Sequence, residues 1–580
     1  MDIYAITIAI SLLLYLGIGQ YAGRRVKHLE DYFVVGRNAP TLFIVGTLVA
    51  SVLSTNAFLG ETGFSYASQG GAYILWPAIW VLGYLYGAVF FGRYLRRSRA
   101  LTVAQFFGHR FNSQKVQAAA GVTIILGVGG YLLAVTQGLA VILSQLTPLD
   151  YHQALVLAWL CYTLFTFYSG SQGVILTDTL MFFIFTVMSF IALYYIVDAH
   201  GTWVQAVGEL VKLESKPQLM TWHGEVGEGT AWQTPNDFLI WSVITGVAWS
   251  LVAAVSPWQS SRYLMAKSEH VVLRSACIAA IVIAASNVAL FAAATVVNLS
   301  KDDIFPHEQV MVWAAMNMMP EIAGALLLAG VLAAALSSAT TFLSLIGFSV
   351  SQDIVSSKTK DDKSLLRYSR MTMLGVGTVA LFIAFFIPAD LFWLVYYVGT
   401  VFASSWGPVA FMSIWSDTIT AKAAYWGIIS GFVGNVLSRT LDSFNVIDLP
   451  AILNPILIGG VLSLSVIVVI SRYSRVTEIE RSRRLALHQN PEIPATENQR
   501  RWTQAVAWLV ILFGILMTVL QLEYFVEPYQ QASSVFGEHR GLSMETLFAG
   551  GWSVLFGLGG MLMLFVVKRP PPMKTKEESL

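Results

Sequence analysis

Charged side chains are scarce in this sequence. Only 12% of its 580 residues are Asp, Glu, Lys or Arg, and 56% are hydrophobic. A typical soluble domain carries roughly a quarter charged residues, so this chain lacks the polar side chains that a water-exposed surface needs. The mean hydropathy is +0.64. These values predict an integral membrane protein.

Cysteine and net charge are also low. Cys161 and Cys277 both lie in apolar segments, which excludes a disulfide framework and gives no metal-binding cluster. A net charge of +1 gives no signal for a nucleic-acid partner. The sequence has no phosphate-binding glycine loop, and its longest polar stretch, residues 198–236, is too short for a catalytic domain. We expect neither an enzyme nor an obligate protein partner.

Long apolar segments fill most of the chain. Segments of about 20 apolar residues can cross a bilayer, and the sequence predicts fifteen of them. The predicted spans lie near residues 3–20, 41–66, 72–95, 117–146, 152–170, 173–197, 237–260, 272–298, 311–351, 367–388, 390–415, 421–440, 453–473, 503–523 and 545–567. Only the sequence "SGSQG" separates the fifth span from the sixth.

The basic residues predict the orientation of these spans. Asp2 precedes the first apolar run and two arginines follow it, which is typical of a retained helix rather than a signal peptide. With the N-terminus outside, every sizeable basic cluster falls on the cytoplasmic side, including the one formed by Arg262, Lys267 and Arg274. We therefore expect a plasma (inner) membrane protein with a cytoplasmic C-terminus.

Polar groups occur where a membrane span should be apolar. Asp178 and Glu61 lie inside predicted spans, and such residues are functional-site hypotheses; the alternative is a carboxylate at a helix end that reaches interfacial water. The sequences "ASVLSTNAFLGETG" and "AWSLVAAVSPWQSSRY" also predict two interrupted helices, a pattern that points to a midplane site in transporters with inverted repeats. The alternative for Pro257 is an ordinary kink.

The segment "GVLAAALSSATTFLSL" carries five hydroxyl side chains in eight residues. Small and hydroxyl residues are common where membrane helices touch, so one interpretation is helix packing. The other is a cation site. Composition does not choose between them.

Six motifs, taken together and in order, resemble the sodium:solute symporter family. They are "DYFVVGRNAP", "AFLGETGFSYASQG", "GSQGVILTDTL", "SPWQSSRYLMAKS", "GVLAAALSSATTFLSLIGFSVSQDI" and "WGPVAFMSIW". The resemblance extends from about residue 3 to about residue 473. It implies an all-α, leucine-transporter-like fold with an inverted repeat of 5+5 helices, one extra N-terminal helix and about four extra C-terminal helices.

The implied organisation follows the chain in seven parts. They are an N-terminal helix and loop (1–40), a first repeat with an extracellular loop (41–235), a second repeat (236–415), two peripheral helices (416–473), a basic cytoplasmic loop (474–502), two C-terminal helices (503–567) and a cytoplasmic tail (568–580).

The resemblance also implies one sodium ion, with a second expected. The first would be held by Ala50, Leu53, Ala334, Ser337 and Ser338, and would clamp broken core helix 1 to core helix 8. The second would be held by Asp178, Thr340 and Thr341. For Asp178, a proton site or a structural carboxylate is the competing interpretation.

The implied activity is sodium-coupled import of a small organic solute across the lipid bilayer by alternating access. The predicted solute-binding residues are Ser54, Thr55, Asn56, Phe58, Glu61, Gln137, Trp249, Ser256, Trp258, Gln259, Trp393, Tyr397 and Trp406. The motif "PWQ" resembles the choline-transporting branch, but Val52 stands where that branch has a tryptophan, so the solute is left open. A proton-coupled or uncoupled carrier and a non-transporting solute sensor are the alternatives.

Overall fold

The computed structural model describes residues 3–24, 29–53, 55–355, 361–387, 391–447, 449–489, 495–533 and 543–568. This part of the chain is helical, with a single isolated bridge between Ala39 and Ala266. It contains 11 helices that are long and apolar enough to cross a membrane, and one shorter apolar helix. The chain is therefore an all-α integral membrane protein.

Among the described residues, the first half of the chain forms ten α-helices. They are α1 (Ile3–Gly23), α2 (Leu29–Val34), α3 (Thr41–Ala50), α4 (Thr62–Ala67), α5 (Trp76–Gly87), α6 (Arg93–Ser98), α7 (Val103–Arg110), α8 (Gln114–Leu146), α9 (Tyr151–Asp198) and α10 (Trp203–Leu210). A π-helical turn (Asn56–Glu61) precedes α4, and a second (Ala88–Gly92) joins α5 to α6.

The second half adds thirteen. They are α11 (Pro235–Val255), α12 (Pro257–Met265), α13 (Glu269–Val297), α14 (Val310–Asn317), α15 (Glu321–Phe348), α16 (Asp362–Ala384), α17 (Leu391–Trp415), α18 (Ala421–Ser443), α19 (Pro455–Arg472), α20 (Glu478–His488), α21 (Glu497–Gln521), α22 (Glu527–Ser533) and α23 (Met544–Lys568).

All fifteen predicted intervals contain helix, but the count of fifteen spans is not confirmed. The predicted spans at 152–170 and 173–197 form the single helix α9, since the intervening sequence has no proline and glycine weakens a helix by only about 1 kcal/mol. The predicted span at 311–351 is instead divided. Pro320 lies between α14 and α15, because proline fits the start of a helix and not its interior.

Both predicted helix interruptions are present. The helix α3 ends at Ala50, and a turn separates it from the π-helical turn that leads into α4. The helix α11 ends at Val255, and Ser256 has an extended ψ of 147° before α12 begins at Pro257. Proline lacks an N–H and disfavours helical geometry in the residue before it, which explains the second break.

The centre of the molecule is α15. Of its most apolar stretch 83% is buried, compared with 22% for α1. It packs against α1, α8, α9 and α16. The pair α18 and α19 packs on α17, whereas the pair α21 and α23 packs on α5 and α13. The functional candidates on α15 are therefore enclosed by other helices.

Residues 478–488 were expected to belong to a loop and are a helix, α20. Thr477 and Glu480 form a capping box at its start. Arg110 donates to the carbonyls of Ser413 at 2.5 Å and Glu480 at 2.9 Å, which fixes α20 against the ends of core helices. The basic composition of this segment predicted a solvated loop. Hydrogen bonds from the Arg110 side chain to backbone carbonyls instead hold it as a helix against the core.

Candidate ion and solute site

The two helix breaks face each other. Gln259, on α12, donates from Nε2 to the Ser51 hydroxyl at 3.1 Å, just after the end of α3. Ser51 in turn donates to the Thr47 carbonyl at 2.7 Å. Breaks that lie apart in the sequence thus meet in the interior, where carbonyls freed from helix bonding are available for ligands.

The predicted first sodium site brings α3 and α15 together. Ser338 donates to the Ala50 carbonyl at 3.5 Å. All five predicted residues, Ala50, Leu53, Ala334, Ser337 and Ser338, are buried. A helix C-terminus carries partial negative charge, and transporters use such ends and unwound carbonyls to coordinate sodium. This junction can hold a cation with neutral oxygens.

Asp178 lies at the centre of a polar network. The hydroxyls of Thr47, on α3, and Ser337, on α15, both donate to its carboxylate. Arg262, on α12, places Nη2 3.6 Å from Asp178 Oδ2. The two charged side chains are only 3% and 1% exposed. The network thus connects α3, α9, α12 and α15.

Arg262 was expected in a cytoplasmic basic cluster and is instead buried. Its Nη2 donates to Thr341 at 2.6 Å. The apolar span predicted at 237–260 ends just before Arg262, so the hydrophobic pattern places this residue outside the membrane. The sequence did contain one indication that Arg262 is buried. A buried carboxylate such as Asp178 requires a compensating partner, and Arg262 can supply it.

The three residues predicted to hold a second sodium ion do not all contact the same group. Thr341 is bonded to Arg262, whereas the Thr340 hydroxyl donates to the Ser337 carbonyl at 2.8 Å and accepts from Tyr15 at 3.2 Å. Asp178 and Thr341 therefore meet through the guanidinium, and Thr340 faces α1.

A small cavity adjoins this network. It has a volume of about 20 Å³, enough for roughly one water molecule. Ser261, Arg262 and Ser344 are among the residues that line it. Their atoms Ser261 Oγ, Arg262 Nε and Ser344 Oγ are buried and have no hydrogen-bond partner within the described chain. A single water could satisfy them.

Glu61 and Asn56 form a second polar pair, in the π-helical turn. Asn56 donates from Nδ2 to Glu61 Oε1 at 3.0 Å, and Tyr73 donates to the Glu61 carbonyl at 3.0 Å. Glu61 Oε2 and Asn56 Oδ1 are buried acceptors that no described residue satisfies. Buried unsatisfied acceptors are costly, which marks this pair as a place where a donor could bind.

Other predicted solute-binding side chains carry buried atoms of the same kind. Gln137 donates to the Ile387 carbonyl at 2.7 Å, while its Oε1, the Ser256 hydroxyl and Gln259 Oε1 lack partners among the described residues. Thr55 packs against Gly138. Ser54 lies outside the described residues.

The predicted aromatic residues fall into separate groups. Trp393 lies within an aromatic cluster, with ring centroids 6.1 Å from Trp241 and 6.4 Å from Phe64. Trp258 and Trp406 both contact Phe402 edge-on, at 5.4 and 5.5 Å.

The other predicted aromatic residues pack against, or hydrogen-bond to, residues elsewhere in the interior. Trp406 also donates to Thr123 at 3.0 Å. Phe58 meets Phe185 at 6.2 Å, and the Trp249 ring packs against Gly399. Tyr397 is partly buried. The structure therefore does not gather these predicted aromatic side chains into one cage.

Comparison with known proteins agrees with this architecture. The solved structure of a Na⁺-coupled sialic acid symporter in a substrate-bound outward-open state has a TM-score of 0.67 and 18% identity, over 82% of this chain and 99% of that one. This likeness shows the fold, which is leucine-transporter-like.

Sequence relatives are transporters. The sodium/pantothenate symporter of Escherichia coli (strain K12) is 24% identical over 75% of this chain and 89% of its own length. The high-affinity proline transporter PutP of Bacillus subtilis (strain 168) is 22% identical over 72% and 87%. The model of the sodium:solute symporter family matches residues 32–431. With the match covering more than half of the chain, this protein belongs to the sodium:solute symporter family.

Proposed function

We propose that the protein imports a small organic solute together with sodium by alternating access. The observation that carries this proposal is the junction between the end of α3 and α15, where Ser338 reaches the Ala50 carbonyl. Family membership and relatives that carry pantothenate and proline support it.

Sodium would act as a clamp at this junction. The carbonyls of Ala50 and Leu53 lie on the α3 side, and Ala334, Ser337 and Ser338 lie on the α15 side. An ion bound to both sides holds the broken helix against α15. Its release removes that attraction and lets the broken helix move, so ion binding selects one conformation of the transporter.

The solute would bind beside the two breaks. The unsatisfied atoms of Asn56, Gln137, Ser256 and Gln259 supply donors and acceptors there, and a bound solute recovers the cost of leaving them unpaired.

The first test is sodium binding to purified protein by calorimetry, in potassium-matched buffer. We expect wild type to bind sodium and Ser338→Ala to weaken binding at least tenfold. Ser344→Ala is the matched control, because Ser344 is also buried on α15 but its hydroxyl has no hydrogen-bond partner among the described residues.

Uptake completes the test. Proteoliposomes should accumulate the solute under an inward sodium gradient and not under a potassium gradient. Equal affinity in wild type and Ser338→Ala would reject this ion site, and uptake driven by protons alone would reject sodium coupling.

A further inference from the structure

A groove opens between α21 and the first turns of α3 and α13. Its volume is about 330 Å³, within the range of about 300–1,000 Å³ that is typical of small-molecule sites. The helix α21 packs on α13, and it lies beyond residue 431, where the match to the family model ends. The groove is therefore formed in part by a helix outside the matched region.

The polar end of this groove carries a positive charge. Arg274 lines the groove and has no ion pair with a carboxylate of the described residues. The acidic residues at the starts of the two long helices already have partners. Glu269 pairs with Arg97 at 2.5 Å, and Glu497 pairs with Arg501 at 3.1 Å. The charge of Arg274 is thus available to an anion from outside the chain.

Hydrogen-bond donors surround this charge. Arg274 donates from Nη1 to the Gln499 carbonyl at 3.4 Å, a long bond that leaves the other N–H groups of the guanidinium for a ligand. Thr41, Asn498 and Gln499 also line the groove, and the side chain of each carries a donor. A guanidinium beside neutral donors is a set of groups that recognises phosphate.

The groove becomes apolar one helical turn further along. Ile278 follows Arg274 by four residues on α13, and Val506 follows Trp502 by four residues on α21. Residues four apart share a helix face, so both helices present an aliphatic side chain at the same end of the groove. Trp502 is 63% exposed, and tryptophan is enriched at the membrane interface. This order suits a ligand with an anionic head and a hydrocarbon tail.

We propose that the groove binds an anionic phospholipid. Arg274 contacts the phosphate, the side chains of Thr41, Asn498 and Gln499 donate to the headgroup, and an acyl chain lies against the aliphatic end. Basic pockets between membrane helices on the cytoplasmic side suit such headgroups, and the basic clusters of the sequence predict that this end is cytoplasmic. A bound lipid joins α21 to the first residue of α3, the helix that ends at Ala50.

The experiment is equilibrium binding of tritium-labelled phosphatidylglycerol to the purified full chain in a neutral detergent. We expect saturable binding that unlabelled phosphatidylglycerol displaces, and that neither inorganic phosphate nor phosphatidylcholine with the same acyl chains displaces. Arg274→Gln should weaken binding about tenfold, because it removes a charge-assisted hydrogen bond. Arg274→Lys keeps the charge and should retain most of the affinity.

The matched control is Arg472→Gln. Arg472 is an exposed arginine in the last turn of α19 and does not line the groove. Its replacement removes the same charge from another helix end, so it should leave the affinity for phosphatidylglycerol unchanged. An equal loss in both variants would mean that the whole basic surface attracts the lipid, and would reject a site at Arg274.

Other results would also overturn the proposal. They are an absence of saturable binding in wild type, equal affinity in wild type and Arg274→Gln, displacement by phosphatidylcholine, and displacement by inorganic phosphate, which would make this a site for a free anion. If Arg274→Gln does not fold, Ile278→Trp decides. The larger side chain fills the apolar end without a change in charge, so we expect weaker binding, and unchanged binding would reject the lipid.

Discussion

Asp178 and Arg262 show how strongly two buried charged residues depend on each other. Each is almost fully buried, and each alone would be an isolated charge in an apolar environment. Breaking a buried pair by removing one partner costs about 3–5 kcal/mol, whereas removing both charges costs much less. Each of the two residues therefore needs the charge of the other in order to be buried stably.

This requirement gives a stability prediction. Asp178→Asn should lower the free energy of unfolding by about 3–5 kcal/mol, because Arg262 then remains buried without a counter-charge. Adding Arg262→Gln should recover part of the loss. Thermal unfolding in one detergent measures both, and a double variant less stable than Asp178→Asn alone would show that the pair is not coupled.

Glu61 supports a second prediction at the same scale. Its Oε2 is an unsatisfied acceptor, so Glu61→Gln should weaken solute binding, with KM raised about tenfold. One hydrogen bond to a charged group contributes about 1.5–3 kcal/mol, which agrees with that factor. Sodium binding should be unchanged, since the predicted sodium ligands do not include Glu61.

The matched control is Glu545→Gln, which changes a buried glutamate on α23, a helix that packs on α5 and α21. Uptake of the identified solute measures both variants. Equal KM values for wild type and Glu61→Gln would separate Glu61 from the solute path.

At the scale of secondary-structure elements, some helices pack so closely that only glycine fits at the contact. The pair α5 and α11 meets at Gly83, where an added Cβ would lie 1.9 Å from the Ser250 carbonyl. That oxygen belongs to a helix backbone and cannot swing away. Gly129, on α8, has open space instead, with nothing within 4 Å of an added Cβ.

These two glycines form a matched pair of substitutions. Gly83→Ala should separate α5 from α11 and lower the melting temperature. Gly129→Ala should leave it unchanged or raise it, because alanine is favoured over glycine in a helix by about 1 kcal/mol. The melting temperatures of the two purified variants test both predictions. Equal changes in melting temperature would contradict the importance of the close contact between α5 and α11.

At the scale of the whole molecule, the number of coupled ions sets how far a solute can be concentrated. A membrane potential of 100 mV contributes about 2.3 kcal/mol per charge, and a tenfold sodium gradient adds roughly 1.4 kcal/mol. One sodium ion then supports several-hundred-fold accumulation of a neutral solute, whereas two would support about 10⁵-fold.

The accumulation ratio of the solute therefore measures the number of coupled sodium ions. Under that potential and gradient, proteoliposomes that couple one sodium ion should reach an accumulation ratio of several hundred at equilibrium, and those that couple two should reach about 10⁵. The ratio is measured at steady state with labelled solute and a potassium-valinomycin clamp. A ratio near one under the sodium gradient would contradict sodium coupling.

The sequence alone determined the membrane class, the two helix breaks and the family. The first two follow from local chemistry, because apolar length sets a span, and proline, glycine and hydroxyl side chains interrupt a helix where they cluster. The family follows from the resemblance of six motifs in order. The sequence also predicted Ala50 and Ser338 for one site, through the family resemblance, and the structure places them in contact.

Only the tertiary structure decided what each buried charge pairs with. Asp178 and Arg262 lie on α9 and α12, and Arg262 follows the end of an apolar segment, so local pattern placed it in a loop. Folding brings α12 back beside α9 and α15, and burial then forces the two charges together. A pairing of this kind depends on which helices become neighbours, and the hydrophobic periodicity of a single helix does not predict its neighbours.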